Sequence, residues 1–195
     1  MPVTTDDIKA LRERTGLSVM ECKHALEQTD GDAEKALIVL RKKSSAAAAK
    51  KSTRTLGAGV VQAYVHASED VGALVLLSCE TDFVAKNADF KALAHDIAMH
   101  ATATNPEFKS RDNVTPEAVA KAKQLFEEEA KDKPADKRGA IVEGKLNAYI
   151  AERVLLEQPF IKNPEQTVHG LIEQATQKFG ERIELSEYTR FSVRG

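Results

Sequence analysis

The chain has 195 residues and a formal net charge of -2, from 28 Lys plus Arg and 30 Asp plus Glu, so it carries no overall positive field that would hold nucleic acid. A hydrophobic content of 42% with 30% charged residues excludes collagen-like and wholly disordered chains. The two cysteines are too few for a disulfide framework or a four-ligand zinc site.

No membrane-spanning or targeting segment is predicted. The longest apolar run, Val71–Cys79, is far shorter than the about 20 residues that cross a bilayer. The N-terminal stretch carries Asp6, Asp7, Lys9 and Arg12 where a signal peptide needs an apolar segment. We therefore expect a cytoplasmic protein.

Residues 1–42 are predicted to form a module of three short helices. Gly16 ends the first helix, and Ser18 begins the second as its N-cap, with Glu21 three residues later completing a capping box. A turn at residues 30–32 precedes the third helix. Helices of this length are marginal alone, so we expect them to pack against one another.

A basic segment follows this module. Between Arg41 and Arg54 there are six Lys or Arg residues and no acid. Because Ala and Lys are strong helix formers, residues 43–56 are predicted to be a solvated helical linker. The alternative is a contact with nucleic acid or the ribosome, for which a short basic run in an acidic chain is weak support. Direct binding of nucleic acid is therefore not expected.

Residues 57–195 are predicted to form an α+β core domain with a small antiparallel sheet. Residues 60–66 and Val71–Cys79 have the composition of two strands joined by a hairpin turn. A helix is predicted at Ala88–Thr104, with Asn87 as its cap. The apolar stripe of this helix is typical of one that lies on a sheet.

The remainder of the core is predicted to add three helices and a strand. Two helices with narrow apolar stripes, between about residues 115 and 154, form a protruding antiparallel hairpin, and Thr115 caps the first of them. A further helix is predicted at residues 165–179, ended by Gly180. The closing strand, residues 182–193, has two polar residues on its apolar face, which indicates a bend or bulge.

Motifs of enzyme chemistry are missing from the sequence. It contains no glycine-rich phosphate loop, no G-x-S-x-G and no H-E-x-x-H. A small hydrolase with a site around His66, Asp70 and Cys79 is the enzymatic alternative, although no complete triad stands out. We therefore assign no catalytic, cofactor-binding or metal-ligating residue and expect a protein that is not an enzyme.

The segment at residues 81–84 joins a buried strand to a long helix, and two interpretations of it are open. Phe83 is either a plug in the core between sheet and helix or an exposed anchor for a partner. Thr81 or Asp82 is suited to cap a helical turn at this junction. The residues alone do not choose between the two interpretations.

Several segments resemble the elongation factor Ts family and occur in that family's order. They are Leu-Arg-Glu-Arg-Thr-Gly at 11–16, Met-Glu-Cys-Lys at 20–23, Cys-Glu-Thr-Asp-Phe-Val-Ala-Lys-Asn at 79–87, Ile-Ala-Met-His at 97–100 and Leu-Glu-Gln-Pro-Phe at 156–160. The resemblance covers essentially the whole chain. It implies a ubiquitin-associated-like module at residues 1–42 and guanine-nucleotide exchange on the GTPase elongation factor Tu.

The resemblance also implies which residues contact the GTPase. In the family, the Phe at the position of Phe83 enters a pocket between helices of elongation factor Tu, and the shift disturbs the magnesium and phosphate site. By position, the magnesium-dislocating segment comprises Thr81, Asp82, Phe83 and Val84. The N-terminal module positions that face the GTPase are Lys9, Arg12, Val19, Met20 and Lys23. Leu17-Ser18-Val19 departs from the family's common Ala-Gly and Met at this point and keeps the apolar character of the contact.

The oligomeric state is also implied by the resemblance. The chain has one T-D-F segment and one strand-hairpin-plus-helix unit, whereas the family's long form duplicates this half. Short members resemble symmetric dimers, sheet against sheet, so we expect a homodimer that holds two GTPase molecules. Neither cysteine lies on the terminal strand, so no disulfide is expected across that interface.

The rival function is a ubiquitin-associated-like binding module that docks on the ribosome or a peptide.

Overall fold

The computed structural model describes residues 3–194, so the first two residues of the predicted module and the last residue of the predicted core, 195, lie outside the described residues. The helices of the described range are α1 Thr5–Thr15, α2 Val19–Gln28, α3 Ala33–Lys51, α4 Asp82–Ala85, α5 Ala88–Thr104, α6 Pro116–Glu129, α7 Ala135–Arg153 and α8 Val168–Phe179. The strands are β1 Ala58–Val65, β2 Val71–Cys79, β3 Pro159–Phe160, β4 Asn163–Thr167 and β5 Glu184–Ser192. This combination confirms the α+β fold class.

The three N-terminal helices form a small unit with a core of its own. Ser18 and Glu21 make the predicted capping box at the start of α2, and Gly16 ends α1 in the left-handed conformation with φ 65°. That conformation strains residues with a Cβ, which is why glycine suits the turn. The buried apolar residues of the unit are Leu11, Leu17, Cys22, Ala25, Leu26, Ala36, Leu37 and Leu40.

Helix α3 continues from this unit into the basic segment and packs against α8. Ser45 donates a hydrogen bond to Glu173 over 2.8 Å, and the buried Ser44 hydroxyl bonds Gln177. Arg41 and Arg54, at the two ends of the basic segment, form ion pairs with Glu165 and Glu80 respectively. The basic segment is therefore attached to the core at both ends and along one side.

The main sheet is antiparallel, with β2 in the centre between β1 and β5. The register against β5 shifts between Leu76, which pairs with Glu187, and Leu77, which pairs with Leu185. This irregularity confirms the predicted bend or bulge in the closing strand.

The main core lies between one face of the sheet and the helices α5 and α8. The large buried side chains include Val75, Leu77, Phe90, Ile97, Leu155, Val168, Ile172 and Leu185. The rings of Phe90 in α5 and Phe179 in α8 meet edge to face at 6.1 Å between centroids. The other face of the sheet stays open, and Val61 and Phe191 on it are 64% and 65% exposed.

The predicted helix at residues 165–179 begins later than expected. Residues 163–167 form β4, which pairs with β3, and the N–H of Val168 donates to the carbonyl of Gln158. Thr167 is the N-cap of α8, since its hydroxyl accepts from Gly170 N–H at 3.1 Å. The predicted start was wrong because pairing with a distant segment, rather than local helix propensity, determines the conformation of residues 163–167.

The predicted helical hairpin is confirmed. Helices α6 and α7 pack through Ala122, Phe126, Ala130 and Val142, and the Phe126 ring meets the ring of Tyr149 edge to face at 5.6 Å. Thr115 caps α6, as the sequence predicts. Among residues 3–194, no helix combines the length and the apolar character needed to cross a bilayer.

Candidate partner-binding site

The turn after β2 presents Phe83 to solvent. Thr81 is the N-cap of the one-turn helix α4, and its hydroxyl accepts from Val84 N–H at 3.5 Å. Val84 and Ala85 point into the main core, whereas Phe83 is 82% exposed. A helical turn places successive side chains about 100° apart, so buried neighbours at 84 and 85 direct residue 83 outward. The plug interpretation of Phe83 is therefore wrong, and the exposed-anchor interpretation agrees with the structure.

Charged groups flank the exposed ring. The Lys86 ammonium lies 2.6 Å from Asp82 Oδ2 and holds the pKa of that carboxyl below its ordinary value. Glu80 accepts hydrogen bonds from Arg182 N–H and from the Arg54 guanidinium, and these lower its pKa in turn. Both carboxylates are therefore negatively charged at neutral pH, and each is paired with a cation, so Phe83 is an apolar ring flanked by ion pairs.

One residue that holds this turn was not predicted from the sequence. The Glu181 carboxylate accepts from Glu80 N–H at 3.1 Å, Thr81 N–H at 3.0 Å and the Thr81 hydroxyl at 2.6 Å. Glu181 follows the glycine that ends α8 and lies about a hundred positions from its partners. No local pattern could have linked the two segments.

The five predicted positions of the N-terminal module are all exposed. Lys9 and Arg12 lie on α1, and Val19, Met20 and Lys23 lie on α2. Two of them are large apolar side chains, and Met20 is 56% exposed. An apolar pair with basic neighbours is a composition that suits a protein contact rather than a core.

The last turn of α8 brings the two predicted segments to one end of the molecule. Gln177 donates to Glu21 of α2, one residue from Met20. The Lys178 side chain lies beside Gly16, since a Cβ placed on that glycine would be 3.7 Å from Lys178 Nζ. The same ammonium group forms an ion pair with Asp89 at the start of α5. The loop after α8 then carries the carboxylate that binds the Phe83 turn. Surfaces about sixty residues apart in sequence are thus joined through one helix end.

Comparison with known proteins identifies the family of this chain. The family model described as Elongation factor TS matches residues 47–195. Elongation factor Ts of Heliobacterium modesticaldum is 47% identical over 98% of this chain and 90% of its own length. Those of Thermosipho melanesiensis and Herpetosiphon aurantiacus are 45% and 43% identical, over 95% and 99% of this chain and 96% and 98% of their own lengths.

The chain belongs to the elongation factor Ts family. This membership confirms the resemblance drawn from the sequence and makes the protein an elongation factor of translation. The chain spans nearly the whole length of the relatives named above.

The hydrolase alternative is wrong. His66 and Asp70 lie at the turn between β1 and β2, whereas Cys79 is the last residue of β2. The eight steps from Val71 to Cys79 span about 26 Å of extended strand, too far for a triad. Within residues 3–194, no three His, Cys, Asp or Glu side chains form a cluster suited to a metal ion.

Proposed function

We propose that this protein is the guanine-nucleotide exchange factor of elongation factor Tu. It binds the GDP form of that GTPase and promotes GDP release by disturbing the magnesium and phosphate site. The residues that act are Thr81, Asp82, Phe83 and Val84, together with Lys9, Arg12, Val19, Met20 and Lys23 of the N-terminal module. Family membership supports the partner, and the exposure of Phe83 supports the mechanism.

The observation that carries this proposal is the ring of Phe83, 82% exposed at the tip of a turn whose other apolar residues are buried. Leaving so much aromatic surface in water forgoes burial worth about 1.5–3 kcal/mol. A partner with a pocket for the ring recovers that free energy, and buried aromatic anchors are the usual hot spots of such contacts. Val84, buried beside it, contributes as the anchor of the turn rather than by direct contact.

The mechanism is a coupling of two binding equilibria. A GTPase holds GDP through phosphate contacts and a bridging cation. A factor that binds the nucleotide-free form more tightly than the GDP form weakens GDP binding by the same ratio. A 100-fold ratio corresponds to about 2.7 kcal/mol, which lies within the range of one aromatic hot spot. No covalent bond changes, so exchange requires no catalytic acid, base or nucleophile.

The homodimer belongs to the same proposal. The open face of the sheet carries Val61, Val65, Leu74 and Phe191, all exposed. An apolar patch on a regular sheet suits a second sheet of the same chain, packed about a two-fold axis. A dimer of this kind leaves the Phe83 turn of each protomer available, so that two protomers hold two GTPase molecules.

The test is the release of fluorescent GDP from purified elongation factor Tu, followed by stopped flow with and without this protein. We expect a large acceleration by the wild-type chain. Phe83→Ala should reduce the acceleration about 30-fold, since a hot-spot aromatic is worth about 2 kcal/mol or more. Asp82→Ala should reduce it about fivefold or less, because an exposed ion pair contributes little.

Ile161→Ala provides the matched control, because it removes an exposed apolar side chain from the β3–β4 turn. This variant should keep the wild-type acceleration. If Phe83→Ala is as active as Ile161→Ala and equally well folded, the proposed mechanism is wrong. A wild-type chain that does not accelerate release at all would contradict the function itself.

A further inference from the structure

The carboxylate of Glu181 uses both of its oxygens on the Phe83 turn. Oε2 accepts from the N–H groups of Glu80 and Thr81, and Oε1 accepts from the Thr81 hydroxyl. The three bonds are 2.6–3.1 Å long and converge on the two residues that precede α4. Phe83 takes part in none of these bonds, and its ring projects into solvent.

We propose that Glu181 is a positioning residue that fixes the direction of Phe83 for its partner. This inference rests on the proposed function and goes beyond it, because Glu181 belongs to neither predicted contact segment. It acts through the backbone of residues 80 and 81 and through the Thr81 hydroxyl.

The chemistry of Thr81 explains why a charged acceptor is suited to this place. A hydroxyl has one proton, so the bond that it donates to Glu181 leaves its lone pairs to accept from Val84 N–H. Hydrogen bonds to an ionised carboxylate are about twice as strong as neutral ones. Glu181 thereby orients the cap that begins α4, and α4 orients the ring.

The position of Glu181 is itself fixed by α8. Gly180 ends that helix in the left-handed conformation, with φ 72°, and the chain turns there towards the Phe83 segment. The preceding residues of α8, Gln177 and Lys178, adjoin the N-terminal module. One helix end thus sets the Phe83 turn relative to the module that carries Val19 and Met20. Fixing two contact surfaces in advance lowers the entropy lost on binding.

The first measurement concerns the turn alone and does not involve the GTPase. Amide hydrogen exchange in a peptide that covers residues 80–86 should accelerate roughly 10- to 100-fold in Glu181→Ala, the range for losing hydrogen bonds to a charged group. Glu181→Gln keeps one acceptor oxygen and should fall between wild type and Ala. The control is Glu143→Ala, which removes an exposed carboxylate from α7 and should leave this peptide unchanged. Unchanged exchange in Glu181→Ala would overturn the proposal.

The second measurement is GDP release from elongation factor Tu in a double-mutant cycle. Glu181→Ala should slow the stimulated release about tenfold when Phe83 is present, and should have no further effect in a Phe83→Ala background. Equal losses in both backgrounds would overturn the proposal, since a general loss of stability would act in either. If Phe83→Ala alone retains full activity, the proposed mechanism of exchange is wrong, and hydrogen exchange still decides whether Glu181 orders the turn.

Discussion

Phe83 and Phe90 are seven residues apart and have opposite environments. Phe90 is fully buried between the sheet and α8, where its ring meets that of Phe179. Phe83 is on a turn whose inward positions are already taken by Val84 and Ala85. The same side chain therefore serves the core at one position and is exposed to solvent at the other.

This contrast predicts very unequal effects of the same substitution on stability. Phe90→Ala should lower the free energy of unfolding by about 3–5 kcal/mol, because it removes a buried ring and leaves a cavity. Phe83→Ala should change it by less than about 0.5 kcal/mol, as for an exposed site. Urea denaturation followed by circular dichroism measures both. A loss of several kcal/mol in Phe83→Ala would mean that the ring belongs to the core after all.

At the scale of elements, a buried histidine joins α5 to the segment around β3. Ile161 N–H donates to His100 Nδ1 at 3.3 Å, so the proton of the neutral ring is on Nε2, which donates to Gln158 Oε1 at 2.9 Å. Burial lowers the pKa of His100, because the protonated ring would be a cation held away from water. Protonation would also place an N–H group of the ring against Ile161 N–H.

The sign of the pH dependence follows from linkage. The unfolded chain takes up a proton at His100 near pH 6.5, while the folded ring stays neutral to lower pH. The contribution of His100 to stability is therefore fully present above pH 6.5 and is lost as the pH falls through the folded pKa, by up to about 1.4 kcal/mol per pH unit.

His100→Gln should remove this component of the pH dependence. Urea unfolding at pH 7.5 and pH 5.5 should show a smaller loss of stability on acidification in the variant than in wild type. His24→Gln, at an exposed position on α2, is the control and should lose stability as wild type does. Parallel profiles for wild type and His100→Gln would show that the buried ring does not contribute.

The hairpin of α6 and α7 is a different kind of element. Its small core is separate from that of the sheet domain, and near its base Phe108 and Val154 form a parallel bridge. Elements with few contacts to the body unfold locally at lower free energy than the core. We therefore expect the hairpin to unfold locally at a lower free energy than the sheet domain.

At the scale of the whole molecule, the open sheet face is the surface of the proposed dimer. One face of β1, β2 and β5 packs on α5, whereas the other presents Val61, Leu74 and Phe191 to solvent. The register places Val61 beside Leu76 and places Phe191 beside Gly72 at the far end of the sheet. The apolar surface therefore extends along the strands.

A charge on this face should disrupt the proposed dimer. Val61→Lys should raise the dimer dissociation constant at least about 100-fold, because it buries an uncompensated ammonium group between the two sheets. Sedimentation velocity across a dilution series measures the constant. Leu125→Lys, which introduces the same charge at an exposed apolar position on the hairpin, should leave it unchanged. A wild-type chain that is monomeric at all concentrations would contradict the sheet-to-sheet dimer.

Local signals in the sequence were sufficient for most elements of this fold. The capping box of Ser18 and Glu21, the caps at Asn87 and Thr115 and the stop at Gly180 all occur where the sequence predicts them. Each depends on interactions within a few residues, so a single segment contains all the information. The resemblance to the family added the expected partner and the proposed contact segments, which local propensity does not contain.

Tertiary structure decided the remaining features. Residues 163–167 became a strand because β3 pairs with them, and Phe83 faces solvent because Val84 and Ala85 fill the core. The bonds from Thr81 to Glu181 join segments a hundred residues apart. Periodicity and caps act over one or two turns of chain, whereas these features depend on which distant groups the folded topology brings within hydrogen-bond distance.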